Sequence, residues 1–381
     1  MFFAFSSTGF MESLPEVHMT LAGGVLAVFL NGCLSSYYLK RFCATSTPGF
    51  WRLLVACPTI LFNFLIPVMF DERIVKQSSE MWGAILSIYT SFLVAWLSNQ
   101  KIIAYCLNRG ILVSAENWDY WRFTGVVLCP INPKTDCRND TGQSMLDTYT
   151  KSKEIGRWLT QCVFKNVMLL FMGVVIVKDP GFPLTELGYG FGLMFWLGCC
   201  FDFMQAFALL VFDIDSIDSF DHPYLSIDNC ELWSKRWNTM TAKVLKPLSY
   251  DLVKDGVLVN DPDSAKPKRP EWRRGAAVLS IFLLSGFMHC MCFWYVTRQW
   301  VWKWFMFFSS FGPVVLLEQI VKKFVHNNMG VKSIPLALGI FYTLSTHVIL
   351  ARFFFVPPAE EVGLLRLIKV PVRMVFGEDF V

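Results

Sequence analysis

The apolar residues of this chain gather into long uninterrupted runs instead of short alternating stretches. The clearest are Leu21 to Leu39, Leu53 to Phe70, Met81 to Leu97, Gly188 to Phe212, Ala276 to Val296, Val301 to Val321 and Ile334 to Val356. A helix crossing a hydrocarbon layer of about 30 Å needs about 20 residues with few charges. The run from Val167 to Val177 is shorter. Thr150 to Phe164 leads into it with Trp158, Leu159, Cys162 and Val163 at helical spacing, which predicts one long helix entering the membrane obliquely. Lipid tolerates only backbone groups closed within a helix or a barrel, so the runs predict helices. The expected fold is all-α: a polytopic membrane bundle of about eight transmembrane helices, with residues 1–381 forming a single membrane-embedded domain.

Composition points the same way, although by itself it also describes a large apolar core, and the uninterrupted runs decide against that. Of 381 residues, 54% are hydrophobic, 17% charged and 16% aromatic, well to the apolar side of an average globular chain. Lysine and arginine then orient the bundle, because cytoplasmic loops near helix ends carry an excess of them. The first twenty residues carry neither, whereas the 100–162 connection holds eight and the 213–274 connection ten. Lys40, Arg41, Lys322, Lys323 and Lys332 add to the same side; Arg73, Lys76, Lys178 and Arg298 fall on the other. The bias places the amino terminus in the lumen, of the endoplasmic reticulum by expectation, and the two long connections in the cytosol. Arg366, Lys369 and Arg373 in the C-terminal tail fit this pattern less well.

A net charge of +4 spread over loops gives no nucleic-acid face. The twelve cysteines include no C-x-x-C pair, no zinc spacing is present, and Cys33, Cys57, Cys199 and Cys200 lie inside apolar runs, where they read as small buried residues. Cys129 and Cys137 fall in a connection placed in the cytosol, where a lasting disulfide does not form. Asn139 and Thr141 form a glycosylation sequon on that same connection. No metal site is expected, and the lipid bilayer is the first partner implied.

Polar residues within the apolar runs are few and expensive. They are Asp202, Gln205, His289, Glu318, His347 and Arg352. For Asp202, Glu318 and His347 the plainer reading is satisfaction by a neighbouring helix. His289 stands out through Leu284-Ser285-Gly286-Phe287-Met288-His289-Cys290. Ser285 and Gly286 thin the helix one turn before the imidazole, and Ser285 shares a face with it. An imidazole among apolar helices is neutral and can accept a proton, the chemistry of a general base.

A second constellation runs from Asn229 to Met240 in the long connection before the histidine span. At about 100° per residue, Trp233, Trp237, Met240, Val244 and Leu248 form one apolar stripe opposite Lys235, Arg236, Lys243 and Lys246. That predicts an interfacial amphipathic helix near 228–250. Asn238 falls at the border of the stripe, where its amide can point into a cavity. At about 1.5 Å per residue, His289 lies roughly 20 Å along a helix starting near Ala276. Either the surface helix dips into the protein or the two residues mark opposite ends of a tunnel.

Trp233-x-x-Arg236-Trp237-Asn238, followed by Ser285-Gly286-x-x-His289, resembles the membrane-bound O-acyltransferases, and within them the wax-synthase-like branch of plants and of fungal secondary-metabolite clusters. Arg109-Gly110-Ile111 resembles a further family stretch, with Leu112 where a glycine is common. Plant wax synthases often carry histidine after the Arg-Trp pair, where this chain has Asn238. The resemblance covers roughly residues 50 to 350 and is strongest from 228 to 300, the expected catalytic core segment. It implies transfer of an acyl group from acyl-CoA, the co-substrate, to the hydroxyl of a lipophilic alcohol acceptor, with His289 and Asn238 as the catalytic pair. Trp233, Lys235, Arg236 and Trp237 would hold the acyl-CoA. Its fungal side implies acetyl-CoA and a terpenoid or polyketide-derived alcohol; its plant side implies a long acyl chain and a fatty alcohol. A transporter using Asp202, Glu318 and His347 as an ion path, and a lipid-binding scaffold, are the rival classes. Cys290 offers a rival route through an acyl-cysteine.

Overall fold

The computed structural model describes residues 17–70, 75–77, 80–134, 139–264, 269–329, 334–377 and 380. Cys137, Arg73, Pro267 and Lys332 lie outside them, as do the side chains of Lys76 and Arg366. Among the described residues the regular structure is mostly helical, with two three-residue parallel strands, β1 (Val17–Met19) and β2 (Val75–Gln77).

The apolar runs fold as the sequence predicts. Helix α1 (Leu21–Tyr38) starts at Thr20, whose hydroxyl accepts a hydrogen bond from the Gly23 amide at 3.1 Å. It is followed by α2 (Phe50–Leu65). Next, α3 (Glu80–Thr90) continues through a π-helical stretch, Ser91–Ser98, into α4 (Asn99–Cys106). The short α5 (Tyr120–Leu128) is capped by Asp119. Helix α6 (Thr148–Lys178) is the long helix expected from the weak run at Val167, begun by Asp147 accepting from the Thr150 amide at 2.7 Å. The bundle closes with α7 (Leu184–Phe212), α8 (Thr239–Leu248), α9 (Trp272–Thr297), α10 (Trp302–Met329), α11 (Leu336–Phe354) and α12 (Leu364–Phe376).

Among the described residues, seven helices are long and apolar enough to cross a membrane. The remaining expected span, Met81 to Leu97, sits inside the continuous helical stretch of α3 and α4. The protein is thus a multi-pass membrane bundle with large apolar side chains such as Phe171, Leu210 and Phe341 exposed on its outside. Buried lysines are satisfied by backbone carbonyls at helix C-termini. Lys101 Nζ donates to the carbonyls of Val126 and Cys129, each at 2.7 Å, and Lys40 Nζ to those of Glu116 and Trp118, each at 2.8 Å.

One local expectation is corrected. The segment 228–250 is helical in pieces, not one surface helix: a turn at Asn229–Glu231, a π-turn at Leu232–Arg236, an extended Trp237, and then α8. The break falls at Asn238, whose φ of 42° is left-handed, a conformation asparagine adopts more readily than most residues. Its Oδ1 accepts from the Thr241 amide at 3.1 Å, so the same residue ends one helix and caps the next. Leu232, Asn238, Met240, Val244 and Leu245 are all buried. The segment therefore dips into the bundle instead of lying along its surface.

Candidate active site

The re-entry of 232–238 brings the two sequence constellations to one cavity. It has a volume of about 460 Å³, and its walls include Asn238 and Trp237 from the broken segment together with Ser285 and His289 from α9. Ser285 and His289 share that face, as their spacing predicts. Gly286 faces the other way, against α10: a Cβ there would lie 2.9 Å from the Phe305 carbonyl oxygen. The small residue serves helix packing, and the serine beside it serves the cavity.

The histidine is oriented from two sides. Its Nδ1 lies 2.7 Å from the Ser285 carbonyl oxygen, and its ring stacks on Phe308 with centroids 3.4 Å apart and planes at 15°. A carbonyl only accepts, so in the neutral imidazole Nδ1 carries the proton and Nε2 keeps the lone pair. Asn238 Oδ1 is committed to Thr241, which leaves Nδ2 as the donor of that amide.

The broken segment is itself clamped. Glu318 of α10 accepts from the Asn229 amide at 3.0 Å, from Asn229 Nδ2 at 2.5 Å and from the Cys230 amide at 3.2 Å. Asp228, beside it, pairs with Lys322. The sequence flagged Glu318 only as a polar residue in an apolar run; its role as a clamp depends on a partner distant in sequence. Asp202 pairs with Lys165 Nζ at 2.5 Å, and Arg109 donates to the carbonyls of Val257 and Leu258, tying the connection to the bundle.

The four expected acyl-CoA residues separate into two groups. Trp233 and Trp237 line the cavity and meet edge to face at 5.9 Å. Arg236 does not line it: its Nε donates to Glu231 at 2.9 Å and its Nη1 to the Asp221 carbonyl at 3.2 Å. Lys235 is exposed and outside the lining. The basic residues in the wall are Lys243 and Lys246 of α8, beside Tyr250. Lys246 pairs with Asp251 at 2.7 Å, while Lys243 has no ion pair among the described residues, and burial lowers its affinity for the proton below that of an ordinary lysine. Cys290 is buried, donates to the Val301 carbonyl at 3.2 Å and does not line the cavity, whereas Cys292 does.

Fold and site together define a multi-pass membrane protein with a histidine and a carboxamide lining one cavity of the helix bundle. The model of the membrane bound O-acyl transferase family matches residues 218–310. The chain is 30% identical over 304 residues to a probable long-chain-alcohol O-fatty-acyltransferase 6 of Arabidopsis thaliana, covering 75% of this chain and 76% of that one. It is 26% identical over 315 residues to a long-chain-alcohol O-fatty-acyltransferase of Simmondsia chinensis, covering 80% and 81%. An acyl-CoA–sterol O-acyltransferase 1 of Arabidopsis thaliana is 26% identical over 329 residues, covering 83% and 85%. This chain belongs to the membrane-bound O-acyltransferase family.

Proposed function

We propose that the protein transfers an acyl group from acyl-CoA to the hydroxyl of a lipophilic alcohol, inside the membrane. The observation that carries this reading is the shared cavity of His289 and Asn238, with an imidazole whose Nε2 is free to act as a base. His289 Nε2 takes the proton of the acceptor hydroxyl as its oxygen attacks the thioester carbonyl. The negative charge that develops on the carbonyl oxygen is met by Asn238 Nδ2. Collapse of the tetrahedral intermediate expels coenzyme A thiolate, a far weaker base than an alkoxide, and the imidazolium returns its proton to it. No covalent enzyme intermediate is needed, and Cys290 is not among the residues lining the cavity; Cys290→Ala should keep its activity.

Lys243 and Lys246 stand where the long connection meets the cavity and suit the phosphates of the donor; Trp233 and Trp237 line the path inward. The donor then enters from the cytosolic side of the endoplasmic reticulum, on the orientation given by the loop charges. For the acyl group, resemblance to the fungal members of the family suggests acetyl, placed on a terpenoid or polyketide-derived alcohol. A second reading, a long acyl chain on a fatty alcohol or sterol, is favoured by the names of the relatives. Membranes carrying the protein, incubated with labelled acetyl-CoA or palmitoyl-CoA and a panel of alcohols, decide between them. His289→Ala abolishes transfer while the protein remains inserted; near-normal turnover by that variant removes the mechanism.

A further inference from the structure

Behind Trp233 lies a second, smaller chamber of about 110 Å³ between α7 and α11. Trp233, Trp237 and Phe308 belong to the walls of both chambers, so the two are neighbours across a partition of aromatic rings. The small chamber contains His347, which sequence reasoning assigned to plain helix packing.

Four buried polar atoms of its lining residues have no partner among the described residues: Glu186 Oε2, Tyr189 OH, Trp233 Nε1 and His347 Nε2; the last two are in stacked rings. Their chemistry is complementary. The indole N–H can only donate. His347 Nδ1 lies 2.9 Å from the Thr343 carbonyl oxygen, so Nδ1 holds the proton and Nε2 can only accept. The two rings stack with centroids 5.6 Å apart and planes at 29°, so both atoms belong to the same part of the chamber wall. A hydroxyl can serve either atom, accepting from the indole or donating to the imidazole. A ketone oxygen satisfies only the indole, and a methylene satisfies neither. In so apolar a setting an unmade hydrogen bond of this kind is costly, which makes the pair a selective reader of hydroxyl.

We propose that this chamber is a hydroxyl-binding subsite of the acceptor, and that the preferred acceptors are lipophilic alcohols with a second hydroxyl, remote from the one presented to His289. This deepens the acyl-transfer reading and rests on it for the identity of the acceptor. The stacked rings set the reach: His289 to Phe308 is 3.4 Å, Phe308 to Trp233 is 6.4 Å and Trp233 to His347 is 5.6 Å between centroids. These steps laid end to end bound the separation of the two imidazole rings, and the two hydroxyls each lie within about one hydrogen-bond length of a ring edge.

The test pairs straight-chain diols of increasing length with the mono-alcohols of the same length, on purified protein in detergent, as both acyl acceptors and ligands in thermal unfolding. For at least one length the diol should exceed its mono-alcohol by about tenfold in kcat/KM, about 1.4 kcal/mol, and should stabilise the protein more. In His347→Leu the ratio of the two kcat/KM values should fall to near one, a readout insensitive to how much of the variant folds. The subsite is overturned if no diol outperforms its partner in either measurement, as when an ordered water fills the pair, or if the preference survives in His347→Leu. If diols stabilise the protein selectively but no acyl group is transferred to any alcohol, the subsite stands and the acyl-transfer reading falls.

Discussion

His289 and Asn238 are each fixed by an interaction within their own turn. A carbonyl four residues earlier sets the imidazole tautomer, and an amide three residues later takes the carboxamide oxygen. Asn238 thus serves three ends: a left-handed backbone, a helix cap and a free N–H donor. Substitutions separate them. Asn238→Asp keeps the cap and most of the tolerance for positive φ but removes the donor. It should leave thermal stability close to that of the unmodified protein and lower kcat by about 10²–10³-fold. Asn238→Ala also loses the cap and the favourable φ, and should cost about 1–2 kcal/mol of stability. Parallel kinetics and thermal unfolding in detergent check both. An Asp variant that turns over normally would leave the amide with no part in the chemistry. The residue types at both positions were readable from the sequence. The partition of Trp233-x-x-Arg236-Trp237 into cavity wall and structural clamp was not, because Arg236 is claimed by Glu231 and Asp221, and nothing in a helical periodicity marks that.

At the scale of elements, the informative feature is a helix that does not run on. Apolar residues at helical spacing from Trp233 to Leu248 describe a single amphipathic helix, and periodicity is blind to one left-handed residue in its middle. The local signal was present all the same: asparagine is among the favoured N-cap residues. What holds the break inside the bundle is α10, through Glu318. Glu318→Ala strands the Asn229 and Cys230 amides, at about 1–3 kcal/mol for each unmade bond. It should reduce acyl transfer strongly while the protein still inserts, and should raise protease sensitivity around 222–240. Glu318→Gln, which keeps one accepting oxygen for Asn229, should fall between the two. Equal protease resistance in all three proteins would dismiss the clamp. The same carboxylate and the Asp202–Lys165 pair leave the ion path of a transporter without two of its three expected members.

For the whole molecule, orientation decides which substrate enters where. By the loop charges, the connections 100–162 and 213–274 are expected in the cytosol, the side from which water-soluble acyl-CoA comes, and the cavity wall includes Lys243 of the second connection. Asn139 is a convenient reporter. It lies exposed in a turn where its Oδ1 accepts from Thr141 Oγ1 at 2.7 Å and from the Gln143 amide at 2.9 Å. Expressed in microsomes, the protein should show no glycosidase-sensitive mass at Asn139, and a tag at its amino terminus should resist added protease. A glycosylated Asn139 would invert the topology and place the cavity mouth in the lumen. The long runs that set this topology were legible at once, including the oblique α6, because burial in lipid imposes a length and an apolarity that each segment satisfies alone. Amphipathic α12 at the C-terminus was missed: its apolar residues are interrupted by Arg366, Lys369 and Arg373, and it rests on α6 through Val372 beside Gly173.

The sequence by itself determined the membrane bundle, the placement of its spans, and the residue types able to do acyl-transfer chemistry, all of them properties written within one segment at a time. Only the tertiary structure decided that Asn238 descends to the cavity of His289, that Glu318 clamps it there, that Lys243 and not Arg236 lines the wall, and that His347 faces Trp233 across a second chamber. Each of these depends on which donor meets which acceptor between segments far apart in the chain. Hydrogen bonds select partners by geometry, and composition and periodicity carry no record of it.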